Sequence, residues 1–177
     1  MLTAWYIGDH KDDGFMARLG YAIIRFGQTA EKYGYMTHCE VIQAGPWWNC
    51  SIIGASRRDG AQVRQKLVEL NAEHWRILDV PAWDLHEFNK RAMPLLGTKY
   101  SDLGAAASAS LFVRIVVTVL KIDIAKLGQW CSRLLLQGAG VVGAEDASVS
   151  EAFLLASSLP GSMDITADYF GTGKPLL

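Results

Sequence analysis

The spacing of apolar residues divides the chain into a β-rich first half and a helical second half. Short runs of apolar and β-forming residues predict strands at residues 2–7, 37–43, 50–55 and 74–80. Apolar recurrence every three or four residues predicts helices at residues 15–33, 82–93, 103–120, 124–137 and 149–158. Residues 62–69 fit either a strand or a short helix, and the tail after residue 168 fits a loop. The pattern therefore predicts an α+β protein.

The two segments 37–43 and 50–55 are predicted to form one β-hairpin. The connection between them contains a glycine, a proline and two adjacent tryptophans, which is typical of a long aromatic loop. Because the chain has 177 residues and half of them are hydrophobic, a single domain over residues 1–177 is expected. Its predicted architecture is a small antiparallel sheet packed against helices.

The charge balance excludes some classes of partner. The chain has 17 basic and 18 acidic residues, which argues against a nucleic-acid-binding surface and against a polybasic membrane anchor. Residues 1–8 lack the pattern of a secretory signal, so synthesis as a cytoplasmic product is expected. Residues 103–120 are strongly apolar, but Arg114 interrupts them. This segment is predicted to bury itself in the core or against a partner protein, a second copy or a bilayer surface.

The three cysteines lie in different settings. Cys39 and Cys50 fall in apolar strand-like runs and are expected to be buried small hydrophobes, with pairing under oxidation as the alternative. Cys131 is the candidate nucleophile, because a helix N-terminus would supply a favourable dipole and free backbone N–H groups to a thiolate. This hypothesis requires a helix that begins near Cys131. In the alternative, Cys131 lies inside a longer helix and packs as a core residue.

His38 is the candidate general base among the four histidines. It starts a predicted strand, from which its side chain can project toward another element, as in papain-like sites. His10 and His86 lie in polar or amphipathic surroundings, and His74 has no evident partner. No two histidines have the spacing typical of zinc sites, so neither a metal site nor a cofactor is predicted.

Four short motifs follow one another along the chain. They are YMTHCEVI at residues 35–42, CSIIGASRRDG at 50–60, GTKYSD at 97–102 and WCS at 130–132. Their order resembles that of the circularly permuted NlpC-type papain-like proteins of bacteria and tailed phages, in which the histidine strand precedes the cysteine helix. The resemblance extends over residues 6–136 and implies a papain-like fold.

The resemblance also implies roles for individual residues. His38 would be the base and Cys131 the nucleophile, and the backbone N–H groups of Cys131 and Ser132 would bind the oxyanion. In the relatives a polar residue on the next strand often orients the imidazole. Two alternatives remain open here: Glu40 shares a strand face with His38, and Ser56 lies opposite His38 across the hairpin.

This chain departs from relatives that carry a carboxylate on the second strand of the hairpin, because the matching positions are Gly54 and Ala55. Two further residues are predicted near the cleft. Arg58, in the charged turn 56–60, could bind a substrate carboxylate, and Trp130 would neighbour the site.

The expected function is that of a cysteine hydrolase of amide bonds. The resemblance implies peptidoglycan peptides as substrates and a phage-associated protein that acts at the bacterial cell wall. Two alternatives remain open. The same dyad could serve a lipid or ester acyl hydrolase or acyltransferase, which the apolar residues 103–120 would suit, or the chain could be a catalytically silent structural subunit of a virion.

Overall fold

The strands form one antiparallel sheet. The computed structural model describes residues 1–7, 36–56, 60–143 and 147–171. Within these ranges the sheet has six strands in the order β4-β3-β2-β1-β5-β6, and every neighbouring pair is antiparallel. The strands are β1 Leu2–Tyr6, β2 His38–Ala44, β3 Cys50–Ser56, β4 Gln62–Val68, β5 Trp75–Asp79 and β6 Met163–Asp164.

The α-helices of the described residues follow mainly in the second half of the chain. They are α1 Leu85–Ala92, α2 Asp102–Ala109, α3 Leu111–Val119, α4 Cys131–Ala139, α5 Val149–Ser158 and α6 Thr166–Gly171. The predicted α+β class, with an antiparallel sheet packed against helices, is thus confirmed. The predicted hairpin corresponds to β2 and β3, and the ambiguous residues 62–69 form β4. The predicted helix at 15–33 lies outside the described residues.

Each face of the sheet has its own hydrophobic core. Successive side chains of β2 point to opposite faces of the sheet, so Cys39 and Val41 lie on one face and Ile42 lies on the other. The first face packs against α1, α4 and α5 through residues that include Phe88, Leu134, Leu135, Ala152 and Phe153. The second face packs against α6 through residues that include Leu2, Ile52, Ile77 and Tyr169. Helix α4 therefore lies over the face of β2 that carries Cys39.

The apolar residues 103–120 do not form the single predicted helix. The chain breaks at Ser110, which has an extended backbone and whose hydroxyl accepts the N–H of Val113 at 3.5 Å, so it is the N-cap of α3. Arg114 folds back and donates to the carbonyls of Ala107 and Ser108 near the end of α2. Among the described residues no single helix could span a membrane, and the segments 102–108 and 113–119, which together meet that criterion, are bent by 114°.

The predicted loop after residue 168 is also corrected, because α6 extends as far as Gly171. The side chain of Asp164 accepts the backbone N–H of Thr166 at 2.9 Å, at the first residue of the helix. Tyr169 of α6 is buried in the second core. The glycines near the end of this segment favour a loop, but tertiary packing of the Tyr169 ring stabilises the helix.

Gly138 lies where α4 packs against Phe88 of α1. It is buried, and a Cβ there would overlap the ring of Phe88, which is fully buried. We expect Gly138→Val to lower the free energy of unfolding by about 2–3 kcal/mol, because the overpacked core must shift. Urea unfolding would measure the change. Gly171→Val is the control, since a Cβ at Gly171 meets no atom within 4 Å, and an equal loss in both variants would contradict the packing argument.

Candidate active site

Helix α4 begins at Cys131. The apolar spacing predicts one helix over residues 124–137, and this prediction is wrong. A short 3-10 turn at Ile124–Lys126 is followed by a non-helical stretch, and the α-helix starts only at Cys131. The alternative in which Cys131 lies inside a longer helix is therefore excluded by the structure.

Contacts with residues 99–101 explain the late start of α4. The N–H of Gln129 donates to the carbonyl of Lys99 at 2.9 Å, and the Gln129 carbonyl accepts from the N–H of Ser101 at 2.8 Å. Gly128 permits this approach, because its φ is +128° and a Cβ there would overlap the Lys99 carbonyl. The backbone is thus held extended until residue 130, and Cys131 becomes the first helical residue.

The first turn of α4 presents backbone N–H groups beside Cys131. The N-cap residue Trp130 makes no side-chain cap, and the N–H of Leu134 donates to the Trp130 carbonyl at 2.9 Å. By helix geometry, the N–H groups of Cys131 and Ser132 have no acceptor within the helix. The Ser132 hydroxyl donates to the Ala147 carbonyl at 2.7 Å, which anchors the start of the helix. The positive end of the helix dipole therefore lies at the Cys131 sulfur.

His38 lies at the beginning of β2, where it contacts groups from both faces of the sheet. Its Nε2 is 2.9 Å from Oε1 of Glu40, which shares its strand face. Its ring also hydrogen-bonds the Cys131 sulfur, although α4 packs on the opposite face. Because Nε2 faces Glu40, Nδ1 is the ring nitrogen left for Cys131. The structure thus brings Cys131 of α4 together with His38 and Glu40 of β2, although more than ninety residues separate the cysteine from the other two in the sequence.

Cys131 and His38 favour each other's charged forms. The hydrogen bond from the Cys39 thiol outweighs burial and, together with the charge and hydrogen bond of His38, holds the pKa of Cys131 well below its ordinary range. Burial alone would lower the pKa of His38, but the contributions of Cys131 and Glu40 outweigh it and raise that pKa to about 10. Both shifts favour the thiolate–imidazolium pair over the neutral pair.

Cys39 contributes to the site in a way that the sequence did not indicate. Its thiol and its backbone N–H both hydrogen-bond the Cys131 sulfur. Burial, then the hydrogen bond and charge of Cys131, and then the charge of Glu40 raise the pKa of Cys39 well above its ordinary range. Cys39 therefore stays a neutral thiol that donates to the Cys131 thiolate. All three cysteines are free and buried, so the expected burial of Cys39 and Cys50 is confirmed.

Glu40 of β2 is buried, and its carboxylate lies over β3. Its Oε1 accepts from His38 and also lies 3.2 Å from Nζ of Lys66 on β4. The carboxylate occupies the space over Gly54 on β3, where a Cβ would lie 2.7 Å from Oε1. Gly54 thus leaves room for the carboxylate of Glu40.

The other predicted site residues occupy different positions. The register of β2 and β3 pairs Val41 with Ile53, and its extension along both strands would put Ser56 opposite His38. Trp130 is 1% exposed and its ring lies against Gly104, so it is a core residue and offers no platform for a substrate. Arg58 lies outside the described residues.

Two aromatic side chains, one from β1 and one from β5, lie beside His38. Tyr6 pairs with His38 in the sheet, and the ring of Trp75 lies 6.4 Å from the His38 ring and 5.1 Å from that of Tyr6. Both aromatic residues are half-buried. Both rings lie beside His38, and their strand positions alone did not connect them with the site. Among the described residues no group of three or more metal-binding side chains is arranged to hold an ion.

The chain matches no protein-family model, no curated protein and no solved structure. Its function is therefore inferred from the contacts of the site and from the order of its motifs.

Proposed function

We propose that the chain is a cysteine hydrolase of amide bonds. Cys131 is the nucleophile, His38 is the acid and base, and Glu40 orients His38. The observation that carries this proposal is the position of His38 between Cys131 and Glu40: its ring interacts with the Cys131 sulfur, and its Nε2 lies 2.9 Å from Oε1 of Glu40. A nucleophile, a base that contacts it and a third group that orients the base are the parts that this chemistry requires.

The reaction proceeds in two stages. The Cys131 thiolate attacks the amide carbonyl carbon, the C–N bond breaks, and the His38 imidazolium gives its proton to the leaving amine. Water then attacks the resulting thioester while neutral His38 accepts its proton. The C–S bond breaks, which releases a carboxylic acid and restores the thiolate. The N–H groups of Cys131 and Ser132 are the donors proposed for the oxyanion.

The proposed substrates are the stem or cross-bridge peptides of peptidoglycan. This choice rests on the resemblance to permuted NlpC-type proteins, as does the proposed association with a phage particle that carries the protein to the cell wall. The half-buried rings of Tyr6 and Trp75 beside His38 offer flat apolar contacts for a bound peptide.

One observation favours an ester or lipid substrate as the second candidate. Helix α3 exposes Ile115, Val119 and Leu120, which are 53%, 72% and 63% exposed. This surface follows α2, which packs against the beginning of α4 through Gly104 and Trp130. An exposed apolar surface of this kind is suited to binding an acyl chain.

The pH dependence of amide cleavage tests the proposal. Cleavage of purified peptidoglycan needs both the thiolate and the imidazolium. His38 keeps its proton below about pH 10 and loses it above. The pKa of Cys131 is held well below the ordinary thiol range, so the thiol takes up a proton only at a pH well below that range. We therefore expect a broad plateau around neutral pH, with an alkaline limb near pH 10, measured as the release of new amino groups.

A parallel incubation with lipid esters separates the alternatives. Release of fatty acid without new amino groups would support the ester hydrolase. If neither product appears and Cys131 does not react with iodoacetamide near neutral pH, the chain is a structural subunit and the proposed chemistry is wrong.

A further inference from the structure

Lys66 is the second cation that contacts the buried carboxylate of Glu40. Its Nζ lies 3.2 Å from Oε1, the same oxygen that accepts from His38. Lys66 belongs to β4, where it pairs with Ile52 of β3, so its side chain reaches across β3 toward β2. It can do so because Gly54 places no side chain between β4 and Glu40. The contact therefore depends on an arrangement of three strands.

The four groups alternate in charge. The order Lys66, Glu40, His38, Cys131 runs positive, negative, positive, negative when the last two form the thiolate–imidazolium pair. Their charges sum to zero, which matters because an uncompensated charge in a buried site is costly. Among the described residues the other oxygen of Glu40, Oε2, is buried without a hydrogen-bond partner. Within the described ranges, the contacts that fix the carboxylate are therefore the two at Oε1, with His38 and with Lys66.

We propose that Lys66 is a positioning residue for the Cys131–His38 pair, which it influences by holding the carboxylate of Glu40 aimed at Nε2 of His38. Without the ammonium, the carboxylate loses one of the two contacts that fix Oε1 and turns away from His38. The imidazolium then loses its counter-charge, and the thiolate that depends on the imidazolium is destabilised. The inference rests on the proposed function, because it takes the Cys131 thiolate as the reacting group.

Other titratable groups near Glu40 do not carry this role. Cys39 on β2 and Cys50 on β3 have pKa values raised chiefly by burial, with smaller contributions from the charge of Glu40. Both are thus neutral at pH 7. Arg64 also lies on β4, but its guanidinium is near Gly60, where a Cβ would lie 2.6 Å from Nη2. Lys66 is the cation on β4 that contacts Glu40.

The pH dependence of Cys131 alkylation tests the inference without a substrate. Iodoacetamide labelling would be followed by peptide mass spectrometry, which separates Cys131 from the other two cysteines. We expect Lys66→Met to raise the pH midpoint of Cys131 labelling by about one unit, because a charge that favours the thiolate is lost. Lys66→Arg should restore the wild-type midpoint. Lys90→Met is the matched control, since Lys90 forms an exposed ion pair with Glu87.

A double variant identifies the route of the effect. If Lys66 acts through Glu40, then Lys66→Met should cause no further shift in a Glu40→Gln background. A wild-type midpoint in Lys66→Met would overturn the inference, and so would an equal shift in Lys66→Arg or a shift that persists in the Glu40→Gln background. Lys66→Gln serves if the methionine variant does not fold. The proposed function fails separately, if wild-type Cys131 is labelled only at or above the ordinary thiol pKa.

Discussion

Replacing Cys131 by alanine is expected to abolish amide cleavage, with a loss of at least about 1000-fold in kcat/KM. The same loss is expected for His38→Ala, because the thiolate depends on the imidazolium and the leaving amine needs its proton. Groups that act as one unit do not contribute additively, so the double variant should be no slower than either single one. Release of new amino groups from purified peptidoglycan would measure all three variants.

Cys50→Ala is the matched control for this series. Cys50 is also a buried cysteine, but it lies in the second core, where its sulfur accepts from the hydroxyl of Tyr169 at 3.4 Å. Its removal should cost some stability and leave the rate of cleavage close to that of the wild type. Circular dichroism would confirm that each variant is folded. Full activity in folded Cys131→Ala or folded His38→Ala would rule out the proposed dyad.

The sheet could be predicted from local patterns because its central strands carry clear alternation. In β2 the alternation separates Cys39 and Val41 from Ile42, and the turn-rich aromatic connection to β3 indicates the hairpin. The pairing of distant strands, such as β1 with β5, is a tertiary contact that no local pattern contains. The sheet order therefore had to come from the structure.

The beginning of α4 shows why periodicity alone misplaced the most important boundary. Apolar residues from 124 to 137 keep a helical spacing, yet residues 128–130 are not helical. The cause is the pairing of Gln129 with Lys99 and Ser101, almost thirty residues earlier in the chain. A positive φ at Gly128 is compatible with this pairing, but a glycine in a sequence does not say which segment it approaches. The start of α4 at Cys131 thus depends on a contact that the spacing of apolar residues does not contain.

Lys66 and Cys39 were missed for a different reason. Cys39 points to the opposite face of β2 from His38, so strand alternation argues against a shared site. Only the position of α4 over that face brings the Cys131 sulfur to Cys39 and, at the end of the strand, to His38. Lys66 reaches Glu40 across a third strand at a glycine. Both contacts depend on how elements pack, which residue spacing does not determine.

The choice between Glu40 and Ser56 as the orienting residue can now be decided by experiment. We expect Glu40→Gln to lower kcat/KM about 100-fold, because the amide keeps the shape of the side chain but loses the charge that faces Nε2 of His38. Gly54→Ala should act in the same direction without removing any charge, since the new Cβ would lie 2.7 Å from the Glu40 carboxylate.

The alkaline limb of activity should also move below pH 10 in Glu40→Gln, because the imidazolium loses a counter-charge that raises the pKa of His38. Cleavage of peptidoglycan as a function of pH measures both effects, and a larger loss in Ser56→Ala than in Glu40→Gln would assign the orienting role to Ser56.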